Sequence, residues 1–537
     1  MLSDWMGPKY LKWMFGSYYN SNILKLDRAN RSDTMRINIS KHQNIPMYAQ
    51  IKAQIIKQIM ASELPTGFVL PSDRKLANDL KVNRSTVIRA YQELKAEGFI
   101  DSKVGSGTFV LQQANGHTVD SNAYIPPIRW DQQLKMISQS TESNRIKGML
   151  AGALKNKIIS FAGGLPGEDL VNMNLFTRLS EELHRSEGAN LYGASPVDGI
   201  QKLKKELCNH MAKRNVNCNP SNILVTSGSQ QGLSYITRLL VEPGDVVLTE
   251  EPTYLGALNI FEGSGARTIG IPLCSDGIDT SVLETYVFKY RPKLIYVQPN
   301  FQNPKGVTMS YEKRKALLDV AYRYKVPIIE DDIYSDLRYE GDEIPPLKAL
   351  DNSNYVIYLS SFSKILSFGM RIGWICADQD VIRSTELMKQ MTDLQSQTLG
   401  QYMIARILEK NHYQDEIMRI KKIYIRKRNT MIKALKKYPE LFEPTISQGG
   451  FFIWVRLPDN TNMRTLETES VKRGVAIVSG DVFYPKGVSS ECAIRLSFSS
   501  PKISDIEKGI EQLADAIRAS QIHQNKPIKK TGNQPIV

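Results

Sequence analysis

Three stretches of helical periodicity fall close together early in the chain. In PMYAQIKAQIIKQIMAS, Tyr48, Ile51, Ile55 and Ile59 recur three or four positions apart and define one apolar helix face. LPSDRKLANDL places Ser72 to cap a second helix, with Leu76, Ala77 and Leu80 inward. After a turn at Val82, Asn83 is positioned to cap RSTVIRAYQELKAEG, whose inward set is Val87, Ala90, Tyr91 and Leu94 and whose stop is Gly98. FIDSKVGSGTFV then reads as two short strands around a glycine-containing turn, a β-wing. These elements occupy residues 44–112.

Periodicity lapses over residues 113–157, a polar stretch with a Pro-Pro step that reads as a linker, with a short helical part near WDQQLKMISQS. From 158 to 518 the pattern is α/β. The runs ILVTSG, DVVLTE, LIYVQPN, VPIIEDD and VIYLSS are apolar enough for strands buried on both faces, and helical stretches separate them, as in a mainly parallel sheet. From about Leu399 come helices and then GGFFIWVRL and CAIRLSFS, which predict a smaller C-terminal α+β subdomain. Residues 519–537 are polar and expected to be unstructured. Residues 1–43 are expected to form a poorly ordered extension: MLSDWMGPKYLKWMFGSYY is aromatic-rich, lacks the apolar core and cleavage site of a signal peptide, and precedes an alternative start at Met35.

A length of 537 residues exceeds one ordinary domain, and 42% hydrophobic with 23% charged residues describes a globular protein. Nowhere do about 18 uninterrupted apolar residues occur, so no transmembrane helix is expected. The five cysteines are scattered, with no CxxC pair, and are expected to be reduced, buried thiols rather than disulfides or metal ligands; no metal site is expected. The formal net charge is +14, and residues 36–112 alone carry eleven Lys/Arg against six Asp/Glu, which favours attraction to phosphates.

That local charge sits on the module with two helices, a tight turn and a wing, the winged helix-turn-helix pattern. The helix after the turn is the one that enters a DNA major groove. Its outward face carries Arg84, Ser85, Ile88 and Arg89, with Thr86 and Arg74 near a passing phosphate. Arg84 or Arg89 suits two-point reading of a guanine edge, and Arg74 and Lys75 suit holding the backbone. The string PSDRKLANDLKVNRSTVIRAYQELKAEGFIDSKVGSGTFV resembles the DNA-binding domain of the GntR family of bacterial transcription regulators.

In the larger module the chemistry centres on SFSKILSFGMRIGWI (Ser361–Ile375). Ser361 and Ser363 are hydroxyl donors for a phosphate, Arg371 is a charge partner for it, and Lys364 is an amine able to form a Schiff base with an aldehyde anchored there. The spacing suits pyridoxal 5'-phosphate (PLP). TSGSQQGL turns a strand into a helix, so that Gly228, Ser229 and Gln230 present backbone N–H groups to the same phosphate. IIEDDIYSDL offers Asp331 to a pyridine nitrogen and Tyr334 to the ring's 3-oxygen; QPNFQNPKG offers Asn303 as a second donor to that oxygen, and EEPTYLG offers Tyr254 for stacking on the ring.

Taken in this order, the set resembles the fold-type I aminotransferases, above all the branch with kynurenine and 2-aminoadipate aminotransferases. The resemblance implies that Lys364 carries the cofactor as an internal aldimine, Asp331 pairs with its N1, and Tyr334 and Asn303 contact O3'. It also implies that Ser229, Gln230, Ser361, Ser363 and Arg371 hold the phosphate. It further implies that Arg495, in CAIRLSFS, grips a ligand carboxylate, and that Tyr192, in NLYGASPVDG, reaches the phosphate of a neighbouring subunit. Two departures from the family pattern are Lys204 in place of arginine and Phe368-Gly369-Met370 ahead of Arg371. A GntR-type reader ahead of an aminotransferase-like domain resembles the MocR subfamily. That layout implies a head-to-tail homodimer that binds double-stranded promoter DNA and senses PLP, a small amino compound, or both, through Lys364. A working aminotransferase with an accessory DNA module and a DNA-binding protein with an inert dimerisation domain are the competing readings. The pocket residues do not distinguish GABA, another amino acid, a D-amino acid or PLP alone as effector.

Overall fold

The structure, a computed structural model, describes residues 35, 37–39, 45–61, 63–103, 107–111, 158–167, 170–485 and 491–524. The chain divides into two compact units, Met1–Arg129 and Trp130–Val537. The expected linker at 113–157 lies outside the described residues, as does the helical part predicted within it.

In the first unit, α1 (Met47–Met60), α2 (Asp73–Leu80) and α3 (Arg84–Ala96) form where the periodicity placed them. Ile51, Ile55, Val87, Ala90 and Leu94 are wholly buried. Full burial of each large aliphatic side chain stabilises the unit by about 1.5–3 kcal/mol. Ser72 Oγ accepts from the Lys75 N–H and Asn83 Oδ1 from the Ser85 N–H, so both predicted caps are made. The turn between α2 and α3 closes through Lys81 in the left-handed region, at φ 51°. The wing has three strands rather than two. β1 (Val69–Leu70) pairs antiparallel with β3 (Gly107–Val110), which pairs antiparallel with β2 (Ile100–Lys103). The unit also begins before residue 44. Met35, Ile37 and Ile39, at the alternating spacing of an extended segment, pack on the same core, and Asn38 exchanges two hydrogen bonds with the Gln54 side chain.

The second unit opens with β4 (Ile159–Ser160). Its main sheet comprises β5 (Ile223–Thr226), β6 (Val246–Glu251), β7 (Arg267–Cys274), β8 (Gly277–Ile278), β9 (Leu294–Val297), β10 (Ile328–Asp331), β11 (Val356–Ser361) and β12 (Gly373–Cys376). The order is β5-β12-β11-β10-β9-β6-β7-β8. The run from β11 to β7 is parallel, and β12 is antiparallel to both neighbours. β5, β9, β10, β11 and β12 are buried at every position, which explains their largely apolar sequences. β7, with its polar and exposed positions, has no such run and was not foreseen.

A second sheet, antiparallel, has the order β13-β14-β17-β16, built from β13 (Glu443–Thr445), β14 (Phe452–Arg456), β16 (Val478–Ser479) and β17 (Ala493–Ser497). Helices His412–Leu435 and Ile503–Gln524 pack on each other beside it. The smaller subdomain therefore does not begin at Leu399 alone. β4 joins it by pairing with β15 (Val475–Ala476), and the last helix continues six residues past the expected boundary at 518. Among the described residues no helix is long and apolar enough to cross a membrane. Of the five cysteines only Cys376 is buried; Cys274 is exposed, contrary to the expectation for all five.

Candidate cofactor site and nucleic-acid interface

Strand direction gathers the site. Gly373 on β12 pairs with Thr226 at the end of β5 and with Ser361 at the end of β11. The loops after β5, β6, β9, β10 and β11, and the turn before β12, therefore open at one edge of the sheet, the ligand-binding edge of open α/β sheets. They carry Gly228, Tyr254, Asn303, Asp331, Lys364 and Arg371 respectively.

Lys364 Nζ donates to Gly164 O at 2.7 Å and lies 5.8–5.9 Å from the ring centroids of Tyr334, Phe368 and Phe451. Burial, and then the nearby Arg495 charge, bring its pKa down to about 8, against the pull of Asp331. Asp331 is 4% exposed. Its Oδ2 accepts from Tyr296 Oη at 2.6 Å and Gln298 Nε2 at 2.8 Å, and its Oδ1 is buried with no partner. Burial pushes its pKa up to about 6 despite those two bonds. An orphaned carboxylate oxygen in an apolar setting is costly unless a donor meets it. A protonated pyridine nitrogen is such a donor, so the residues present fit PLP.

Tyr334 is buried against Phe451 and Phe452, and burial pushes its hydroxyl pKa up, so it remains a donor. Asn303 Oδ1 accepts from Arg495 Nη1 at 2.9 Å, which leaves its amide NH2 as the free donor group. Arg495, centrally placed on β17, also donates to Ala162 O at 2.5 Å, while its Nε is buried without a partner. Burial lowers its pKa to about 10, so it stays cationic near neutrality. Its guanidinium lies 4.3 Å and 4.8 Å from the ring centroids of Phe452 and Phe483. Tyr254 Oη donates to Gln230 Oε1 at 2.9 Å, and Gln230 Nε2 to Gly256 O at 3.1 Å.

On the other side, Arg371 donates to Ser227 O at 2.9 Å and reaches Ser363 Oγ at 3.4 Å. Gly228, at φ 101° and ψ 161°, ends the strand and starts the helix Ser229–Leu240; a β-carbon there would sit 2.6 Å from Arg371 Nη2. Only glycine suits both the backbone and that approach. Ser361 Oγ accepts from the Ser363 N–H, so it caps its own turn beside Ser363 rather than standing free.

Tyr192 is the one expected site residue that this chain does not bring to the cluster. It is 68% exposed, with its hydroxyl 2.6 Å from His184 Nε2. Lys204 is buried in an ion pair with Asp198. Tyr296 and Gln298, which hold Asp331, were missed. Their i, i+2 spacing, Tyr296 on β9 and Gln298 just past its end, beside β10, was the available signal.

In the winged helix, Arg74, Lys75, Arg84, Ser85 and Arg89 are exposed and Thr86 is half-buried. Arg84 Nε is 2.8 Å from Asp73 Oδ2. Arg89 lies 3.9 Å over the Tyr48 ring and pairs with Glu93 at 3.6 Å. Ser85 Oγ donates to Asn83 Oδ1 at 2.9 Å, within the cap. The two arginines expected to read bases are thus surface groups already held by local partners.

Fold and site together define a winged helix-turn-helix DNA reader joined to an aminotransferase-type domain. Residues 47–110 match the family of bacterial regulatory proteins, gntR family, and residues 168–513 match aminotransferase class I and II. The uncharacterized HTH-type transcriptional regulator YisV of Bacillus subtilis is 30% identical over 89% of this chain and 97% of its own. The structure of Pyrococcus horikoshii kynurenine aminotransferase superposes with a TM-score of 0.69 at 34% identity, covering 73% of this chain and all but a little of that one, at 98%. LysN, the alpha-aminoadipate aminotransferase of Thermus thermophilus, solved with N-(5'-phosphopyridoxyl)-L-leucine, gives 0.68 at 28% identity, over 74% and 100%. The chain belongs to the GntR-family transcriptional regulators of the MocR type, with an aminotransferase class I and II domain. Its gntR module implies DNA binding and its fold implies PLP as the cofactor.

Proposed function

We propose that the protein is a bacterial, cytoplasmic transcription regulator that binds promoter DNA through α3 and reports, at Lys364, the presence of PLP or of an amino compound that competes for it. The observation that carries this reading is the partnerless Asp331 Oδ1, buried in a pocket that also holds a lysine amine of lowered pKa, in a chain that begins with a DNA reader. PLP supplies an aldehyde for an amine to capture and a ring that withdraws electrons. Lys364 is the amine that holds it, and Asp331 keeps the ring nitrogen protonated. Tyr334 and the Asn303 amide donate toward the 3-oxygen, and Tyr254 covers the ring. The N–H groups of Gly228, Ser229 and Gln230, with Ser361, Ser363 and Arg371, hold the phosphate. Arg495, anchored through Asn303 and Ala162, is the two-point partner for a ligand carboxylate. Arg74, Lys75 and Thr86 hold the DNA backbone, while Arg84, Ser85 and Arg89 face the bases. The protein acts as a head-to-tail homodimer, in which the exposed Tyr192 serves the partner's phosphate site and the two readers meet two half-sites.

The completeness of the set Lys364, Asp331, Tyr334, Asn303 and Arg495 also supports an active aminotransferase with an accessory DNA-binding domain. A spectral titration of the PLP-loaded protein against a panel of amines, scored beside promoter binding, separates the readings. Spectral change coupled to altered DNA affinity, without multiple turnover, supports regulation; sustained transamination with unchanged DNA affinity overturns it in favour of the enzyme.

A further inference from the structure

A second cavity, of about 190 Å³, lies among residues that take no part in the Lys364 cluster. Its walls come from segments 206–215 and 408–417 and from the loop that follows β10. Arg338, on that loop, is the residue that calls for an occupant. It is 8% exposed, its backbone bridges to Gly449, and its guanidinium lies 4.8 Å over the Phe301 ring. Of the five N–H donors that a guanidinium carries, one is engaged, Nη1 with Glu340 O at 3.4 Å. Among the described residues no carboxylate lies within 4.0 Å of it.

Other deeply buried arginines differ. Arg314 donates to Met309 O, Pro345 O, Pro299 O and Asn300 Oδ1, and Arg428 pairs with Glu340 and donates to Ser447 O. The other under-satisfied guanidinium is Arg495, whose place on the sheet suits a ligand carboxylate. Unlike Arg495 Nε, the remaining nitrogens of Arg338 are not sealed from solvent; they open onto a largely polar cavity, where an oxyanion can replace water on the fork of a guanidinium.

The rest of the lining agrees. Lys213 and Arg214 add positive charge; Arg214 is held by Asp332 at 2.8 Å. His210, half-buried among Phe362, Trp374 and Tyr413, is kept neutral by burial. Three carboxylates also face the cavity. Asp336 is already an acceptor for Tyr413 Oη at 2.6 Å, whereas Glu206 is half-exposed and Glu343 exposed, so solvent and salt screen both. Glu343, Asp332 and Asp342 nevertheless attract the Arg338 charge, so an anion bound there competes with them.

We propose that this cavity is a second ligand site, for a small molecule bearing a carboxylate or phosphate group that Arg338 grips. Its volume corresponds to about six waters at ~30 Å³ each. That admits inorganic phosphate or a short-chain carboxylate. The site is independent of the reading of Lys364, yet an occupant touches the segments that carry Tyr334 and Asn303, four and two residues from Arg338 and Phe301.

The test is isothermal titration calorimetry of the full chain, pre-loaded with PLP so that the Ser363–Arg371 cup is filled, at ~0.15 M salt. Inorganic phosphate and succinate are titrated separately. One saturable site per chain for either probe, weakened at least about tenfold by Arg338→Met with an unchanged visible spectrum, supports the proposal; which probe binds identifies the oxyanion. No saturable binding of either probe at millimolar concentration, or Arg338→Met binding as tightly as the parent, overturns it. Should Arg338→Met fail to fold, Arg338→Lys decides: it keeps the charge but loses the two-point geometry, so several-fold weaker binding supports the site and an unchanged affinity sinks it.

Discussion

The amine of Lys364 makes a numerical prediction. Burial is the largest influence on it; Arg495 and Arg371 push in the same direction and Asp331 opposes them, giving a pKa of about 8 in place of 10.5. At pH 7.5 about a quarter of the amine is then neutral, against about one part in a thousand for an ordinary lysine, a ratio of roughly 240. Only the neutral amine attacks an aldehyde. In the apo protein, reductive methylation of Lys364 by formaldehyde should therefore accelerate as pH rises and level off with a midpoint near 8. Formaldehyde has no titrating group near that range, so the midpoint belongs to the protein. Peptide mass spectrometry gives the rate at Lys364, with surface lysines as internal references. Arg495→Gln removes a repelling cation and should raise the midpoint, whereas Asp331→Asn removes an attracting anion and should lower it. A rate that still climbs in parallel with the surface lysines up to about pH 10, or variants that move the midpoint the opposite way, would refute the electrostatic reasoning.

Three further outcomes are expected. Gly228→Ala puts a β-carbon 2.6 Å from Arg371 Nη2 and strains the backbone; with about 1–3 kcal/mol of strain and a weakened charged contact, PLP affinity should fall about a hundredfold, and a loss under about fivefold would show that the loop relaxes freely. Arg84→Ala should weaken operator binding in a gel-shift assay and leave the PLP absorbance titration unchanged; equal loss of both would contradict separate modules. Asn83→Ala removes the cap on α3, costing about 1 kcal/mol, and should lower the first thermal transition followed by circular dichroism by a few degrees. An unaltered melt would mean that the helix start is held by something else.

Residues with a local signature were legible in the chain. Ser72, Asn83 and Gly98 announced helix ends because caps act over two or three residues, and β9 to β11 announced themselves because burial on both faces makes their first three or four positions mostly apolar, with polar residues gathered at the ends of β10 and β11. Most site residues were legible for a related reason: they sit at or just after the end of a strand, and parallel strands bring such ends to one edge, whereas Arg495 lies within β17. What depended on distant pairing was hidden. Nothing in GWIC tells a reader that β12 runs against its neighbours, nor in Ile159–Ser160 that they pair with Val475–Ala476. The engagement of Arg84 by Asp73 and the support of Asp331 by Tyr296 and Gln298 are likewise cross-element contacts. Ser85, expected on an outward face, and Ser361, expected as a phosphate donor, each also bind within their own turn, as short polar side chains at helix starts commonly do.

Asp331 and Asp332 are consecutive at the end of one extended strand, and pleating turns them to opposite sides. Asp331 is tied to Tyr296 and Gln298; Asp332 is tied to Arg214 and Asn300, and these neighbours hold it acidic even though burial alone would raise it. A single rigid stem thus holds one acidic fingertip in each of two separate hydrogen-bond networks. Rolling the stem about its axis loosens both grips at once, so neither side of the strand can be reshaped privately.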